Sequence, residues 1–396
     1  MMRAVVLIIF LMGQVWISSA QSWFFRATDK HRSDSLPQYT FLQVRYQVER
    51  LNDTRTPGIK YIQENPVQSA DVRYGFFGYG RKKWQQLHHY PTYGLGISKF
   101  WFSPRKNILG NPFTTYLFFN EPLIQVKRAS LHYDFTIGLS YNWNGYDTYT
   151  NPEQKAIGSS VNVMVGIALQ YEFRVSDRLD MMIGPSVNHF SNGRTRSPNR
   201  GLNLYGLQAS ARYKFKPRHL KEGAIGKPFG RINYTFEPYQ PMFEFYTVGS
   251  AGIVTTFKDI DNPGIYYWAA SLSIDAARHY GYTGKYGLGL DWFYDGSLKE
   301  QFEEQYINKV PSRLLFWPGV HLSHEYMVHR WTFITQAGIN LKKTGDKGIW
   351  YGRIALRYDV SKSIFIRTGL RVYDTFISDF IECGLGYSIY VCKKQS

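Results

Sequence analysis

Only two cysteines occur among the 396 residues, Cys383 and Cys392. They lie in one alternating segment, where nine residues of strand would be about 30 Å long. An odd offset also turns their side chains to opposite faces, so they are not expected to pair with each other. Long hydrophobic runs are scarce as well. Beyond the N-terminal stretch nothing approaches the roughly 20 consecutive apolar residues that a transmembrane helix needs. No spacing of His and Cys suits a zinc site. His88 and His89, near Trp84, read as an interfacial pair and not as metal ligands, and neither metal nor cofactor is implied. Acidic side chains are the minority, 30 against 47 Lys and Arg, for a net charge of +17 and an isoelectric point of about 9.6. Nucleic acid is the usual partner of such a balance, but the chain has no basic-helix motif and reads as exported. An anionic, phosphate-rich membrane surface fits better.

What the chain has in abundance is aromatic residues: 31 Tyr, 27 Phe and 10 Trp, with a mean hydropathy of only −0.34. A polar average with so many rings suits a barrel that is apolar outside, polar inside and girdled at the membrane interfaces. A soluble secreted β-sandwich or propeller is the bland alternative. The N-terminus, Arg3 followed by an apolar run from Ala4 to Met12 and small residues up to Ala20, reads as a signal peptide of residues 1–20 cleaved after Ala20. With no cysteine after that cut, a lipoprotein anchor is not expected.

Several segments alternate strictly. Val161, Val163, Val165, Ile167, Leu169, Tyr171 and Phe173 are interleaved with Asn162, Met164, Gly166, Ala168, Gln170, Glu172 and Arg174. Similar runs cover 203–215, 268–275 and 353–360. Runs of about 10–14 residues exceed the ~5–6 of soluble strands and suit tilted transmembrane strands. Connectors alternate in length too: the turns at 175–177 and 361–362 are short, while 143–158, 192–201, 294–312 and 342–348 are long. In a barrel of this kind the long links are the outer loops, and both termini are periplasmic. Residues 296–309 could form a helical turn or two.

A weak repeat is present. Tyr93–Phe102 matches Tyr286–Tyr294, and Ile167–Tyr171 matches Ile354–Tyr358. The expected fold is therefore all-β, a transmembrane antiparallel barrel of about 14–16 strands, readable as a duplicated eight-strand unit (roughly 36–215 and 239–391). Closure as one barrel is favoured over two. The expected organisation is a half at 21–215, a periplasmic linker at 216–238 rich in Lys, Arg, Pro and Gly, and a second half at 239–396.

The most informative stretch is 187–203. His189 and Ser191 stand two apart at the end of an alternating strand, so they share a face, their Cβ atoms roughly 6–7 Å apart. An imidazole can span that gap and act as general base to the hydroxyl. The same face carries Leu179, Met181, Ile183, Pro185 and Val187, while Asp180, Met182, Gly184, Ser186 and Asn188 take the other. The pair thus sits at the rim of an apolar surface, where an enzyme acting on lipid needs it. A lone His-x-Ser also arises by chance, and Asn192-Gly193 is an ordinary turn signal. Pro185 cannot donate to the sheet ladder, so a bulge or distortion is expected just below the site.

His189, Phe190, Ser191, Asn192 and Gly193, followed by a basic loop, Pro198-Asn199 and a returning strand, resemble the outer-membrane lipid A 3-O-deacylase family and its acyloxyacyl-hydrolase-like relatives, in a long form. The close match spans about 160–215. The resemblance implies a serine esterase that removes an ester-linked acyl chain from lipid A, with lipid A or lipopolysaccharide in the outer-membrane lipid as substrate. It implies Ser191 as nucleophile, His189 as base and Asn199 in the oxyanion hole, with Asn192 and Gly193 backbone groups as further donors. Arg194, Arg196 and Arg200 could clamp lipid A phosphates or simply form a solvated loop.

The family's triad carboxylate falls at Asn203. An amide oxygen can fix the imidazole tautomer but cannot stabilise the imidazolium by charge. A slower enzyme or a different acid is implied. Glu382, the repeat counterpart of Asn203, qualifies only if one barrel brings the halves together; Glu172 has the wrong parity. In the second copy Asp374 and Phe376 take the places of His189 and Ser191, so that copy has lost the pair. The rival readings are a silent porin-like or structural barrel and a secreted β-protein that binds glycans.

Overall fold

The computed structural model describes residues 39–392 apart from 53–64, 81, 103–105, 127, 216–233, 237–238, 257–264, 304–309, 346 and 374–376. The expected signal peptide, most of the linker, and Asp374 and Phe376 lie outside the described residues. Among the described residues there are sixteen antiparallel strands. The first eight are β1 (Thr40–Leu51), β2 (Val67–Phe77), β3 (Thr92–Trp101), β4 (Gly110–Gln125), β5 (Ala129–Trp143), β6 (Asn162–Arg174), β7 (Leu179–Ser191) and β8 (Leu202–Lys214). The other eight are β9 (Met242–Thr255), β10 (Tyr266–His279), β11 (Gly284–Asp295), β12 (Phe316–Val328), β13 (Trp331–Asn340), β14 (Trp350–Asp359), β15 (Ile364–Tyr373) and β16 (Ile377–Cys392).

The strand count falls within the expected range, but the expectation of a single barrel is overturned. The sheet closes twice, β1 to β8 and β9 to β16. β8 returns onto β1 from Leu42↔Tyr213 to Leu51↔Leu204, and β9 is likewise held between β10 and β16. No edge of the first sheet is left for β9 to join. The alternation of a barrel wall is the same for eight strands as for sixteen, so the period alone could not decide closure.

The burial pattern is that of an inverted globule. Along β1, Gln43, Arg45, Gln47 and Glu49 are buried in the lumen while Leu42, Val44, Tyr46 and Val48 are exposed on the outside. Water would penalise that arrangement. A bilayer favours it, because hydrocarbon meets the apolar belt and closure pairs the backbone polar groups along both edges. The polar faces, expected to line a hydrated lumen, are packed instead. Eight strands leave an interior just wide enough for side chains. In the first barrel Arg73 grips Asp134 with two bonds of 2.6 and 3.0 Å, Arg45 holds Asp71 at 2.6 Å, and Tyr116 donates to Asp71 at 2.8 Å. In the second, His321 bridges Asp275 and Asp291 at 2.7 Å each, and Arg353 lies 2.7 Å from Glu382 and 3.2 Å from Asp291. Mutual pairing offsets the desolvation of these ions.

Short and long connectors fall at opposite ends, as the sequence suggests. The turns at 175–178 and 360–363 are tight, and a helix spans Leu298–Glu303 within a long loop. Two links depart from this: β15–β16, at the outer end, is only three residues long, and β2–β3, at the other end, carries a helix at Lys83–Leu87. The β2–β3 link, expected at a membrane interface, touches the second barrel. His88 Nε2 lies 2.9 Å from the Met327 carbonyl, and its Nδ1 lies 2.7 Å from the Tyr326 hydroxyl. Phe135 of β5 and Phe333 of β13 meet with ring centroids 5.1 Å apart. Outward side chains of β5 are consequently half-buried where those of β1 are exposed.

Candidate active site

β7 carries the site to the outer end of the first barrel. Its parity is as expected: Ile183 and Val187 are 52% exposed outside, and Asp180, Met182, Ser186 and Asn188 are buried inside. At Gly184 and Pro185 the pairing with β6 lapses without any shift in register. His189 faces outward between Val165 on β6 and Asn203 on β8. Its Nδ1 lies 2.7 Å from Asn203 Oδ1. An amide oxygen only accepts, so Nδ1 carries the proton and Nε2 presents a lone pair. Among the described residues Asn203 is the only hydrogen-bond partner of the ring.

Ser191 ends the strand and is buried, 3% exposed, where an open rim position was expected. Two donors converge on its Oγ: Asn199 Nδ2 at 2.8 Å and the Gly193 backbone N–H at 3.1 Å. Among the described residues no hydrogen bond joins Ser191 to His189. The two side chains nonetheless leave the strand on one face, two residues apart. A hydroxyl already facing two N–H groups, beside an imidazole of fixed tautomer, is suited to attack on a carbonyl whose oxygen gathers charge.

The loop that holds these donors is itself braced. Asn192 Nδ2 donates to Ser159 Oγ at 3.0 Å and to Arg196 O at 2.9 Å, and its backbone N–H points to Asn199 Oδ1 at 3.4 Å. Asn192 therefore holds Asn199 in place and does not itself face Ser191. The β5–β6 loop supports the return: Gly201 donates to Ala156 O at 2.9 Å and Arg200 to Lys155 O at 3.3 Å. Gly201 has φ +76°, and a Cβ there would stand 2.9 Å from His189 Cε1. Only glycine fits that return beside the imidazole.

The three arginines differ in exposure. Arg196 and Arg200 are exposed, whereas Arg194 is half-buried and its carbonyl accepts from Thr255 at the end of β9, 3.3 Å away. Neither carboxylate considered for the triad is near His189. Glu172 faces the first lumen and pairs with Arg212 at 2.7 Å. Glu382 is wholly buried in the second lumen against Arg353 and Arg367, and two separate closures remove the premise on which it was considered. Sequence reasoning missed Ser159, Ala156 and Thr255. Strand order alone could have drawn attention to the first two, because the outer loops β5–β6 and β7–β8 flank the same strand pair, β6 and β7.

Residues 68–212 match the model of lipid A 3-O-deacylase (PagL), and residues 243–391 match that of the acyloxyacyl hydrolase C-terminal domain. The chain matches no curated protein. Among solved structures it is similar to the outer membrane enzyme PagL, at 14% identity and a TM-score of 0.30 over 42% of this chain and 97% of that one. It is also similar to outer membrane phospholipase A from Escherichia coli (11%, TM-score 0.19, 89% and 98% covered). A third likeness is to the COG4313 outer membrane channel from Pseudomonas putida F1 (11%, TM-score 0.19, 92% and 100%).

Proposed function

Because this outer-membrane β-barrel belongs to the lipid A 3-O-deacylase (PagL) family, we propose that it is a serine esterase removing an ester-linked acyl chain from lipid A, with Ser191 as nucleophile and His189 as base. The observation that carries the reading is the convergence of Asn199 Nδ2 and Gly193 N–H on Ser191 Oγ. Isolated serines on a barrel wall have no need of two fixed donors. A nucleophile next to a developing oxyanion does.

In this reading the Ser191 hydroxyl proton passes to His189 Nε2 as Oγ attacks the ester carbonyl. The tetrahedral oxyanion takes hydrogen bonds from Gly193 N–H and Asn199 Nδ2. Collapse breaks the C–O bond to the sugar, and His189 returns the proton to the departing hydroxyl. Water, deprotonated by the same imidazole, then cleaves the acyl-enzyme and releases the fatty acid. Asn203 keeps Nδ1 protonated throughout but adds no charge to stabilise the imidazolium. Exposed Val187, Tyr205 and Leu207 beside the pair offer an apolar wall for the acyl chain, and Arg196 and Arg200, exposed in the loop that follows Ser191, are available to phosphate.

The test is mass spectrometry of lipid A from cells expressing the chain. A species short of one acyl chain is expected with the parent and absent with Ser191→Ala, which loses deacylation while still inserting. Unchanged deacylation in that variant would overturn the assignment.

A further inference from the structure

Gly193 and Arg194 are consecutive left-handed residues, φ +59° and +63°. For arginine that conformation is uphill and persists only where the surroundings impose it. Here much of what imposes it comes from the other barrel. Thr255, the last residue of β9 and 1% exposed, makes three hydrogen bonds to the loop. Its N–H donates to Arg194 O at 3.3 Å, its Oγ1 donates to Thr195 O at 2.8 Å, and its carbonyl accepts from Ser197 Oγ at 2.9 Å. Ile381 of β16 lies against Gly193 itself. A Cβ on Gly193 would stand 2.2 Å from Ile381 Cγ1 and 3.4 Å from Leu370 Cδ1. The residue so clamped is the one whose N–H faces Ser191 Oγ.

We propose that the second barrel is a working part of the first barrel's site: Thr255 and Ile381 are positioning residues that hold the Gly193 N–H as an oxyanion donor. This rests on the Ser191 reading above. An oxyanion donor acts mainly in the transition state, so its misplacement lowers kcat and leaves KM nearly unchanged. Complete loss of one donor costs about 10²–10³ in kcat, so loosening it is expected to cost roughly tenfold.

The experiment uses the full chain in detergent–lipid A mixed micelles and reads two quantities: kcat against KM, and the rate at which a fluorophosphonate labels Ser191. The phosphonyl oxygen probes the same donors. Thr255→Val and Ile381→Ala are each expected to lower kcat and the labelling rate about tenfold with KM within twofold. Thr255→Ser, which keeps the hydroxyl, is expected to behave as the parent. Heat-modifiable gel migration reports insertion, and if Ile381→Ala fails to insert, the Thr255 pair decides alone. A parent that is not labelled at Ser191 removes the site and this proposal with it. A labelled parent whose Thr255→Val matches it in kcat and labelling rate overturns the proposal alone, as does a loss confined to KM.

Discussion

Ser130 and His132 form a closer pair than Ser191 and His189. Ser130 Oγ lies 2.6 Å from His132 Nε2, in the lumen end of β5. Proximity is not what distinguishes the sites. Among the described residues the buried His132 Nδ1 has no hydrogen-bond partner and Nε2 also lies 3.5 Å from Glu172 Oε2, so no acceptor holds the proton on Nδ1 to leave Nε2 free as a base, and none of the hydrogen bonds at Ser130 matches the convergent pair of N–H donors at Ser191. Ser130→Ala is therefore expected to deacylate lipid A at the parent rate where Ser191→Ala does not, and equal losses from both would make the donor argument untenable. Asn203 offers a graded test. A carboxylate there would face the imidazolium formed in the transition state, and a charge-assisted bond contributes about 1.5–3 kcal/mol, or ten- to a hundredfold in rate if realised there. Asn203→Asp is expected to raise kcat and Asn203→Leu to lower it, with insertion kept in both. Identical turnover in parent and variants would leave Asn203 a spectator. Both residues of the proposed pair, and the partner of the imidazole, were legible in the sequence, because strand parity and a cross-strand register need only local information.

At the scale of the loop, legibility was partial. Asn199 came from the resemblance alone; no periodicity points to it. Asn192-Gly193 signals a turn, but the left-handed Arg194 and the brace from Ser159 depend on contacts between segments far apart in the chain, which leave no local signal. Gly201 shows how tightly the return is built. Alanine there adds a Cβ 2.9 Å from His189 Cε1 and places a side chain at φ +76°, itself uphill by about 1–2 kcal/mol. Part of the strain is relieved by turning the ring, which lengthens its 2.7 Å bond to Asn203. Gly201→Ala is expected to lower kcat at least tenfold with the barrel still inserted, measured on the same lipid A substrate. Parent-like turnover would mean that the ring position is not under constraint.

At the scale of the molecule, alternation reported walls, not closures, and the duplicated unit was the correct element of the expectation. What settles the number of barrels is the return of β8 onto β1 and of β16 onto β9, pairings between residues as far apart in sequence as Phe41 and Lys214. The same closures bear on whether either lumen can conduct ions. Six arginines, Arg73, Arg212, Arg353, Arg357, Arg367 and Arg371, are among the most completely buried side chains, and they cross lumens no wider than eight strands allow. Breaking one such pair exposes an uncompensated buried charge at about 3–5 kcal/mol. An ion crossing either lumen would have to disrupt several pairs in succession, a population too small to conduct. The full chain in planar bilayers is therefore expected to give no steady porin-scale conductance at neutral pH. A stable ohmic conductance that persists in Ser191→Ala would mean that the pairs open readily, and the barrel walls would then serve transport and not only carry the site.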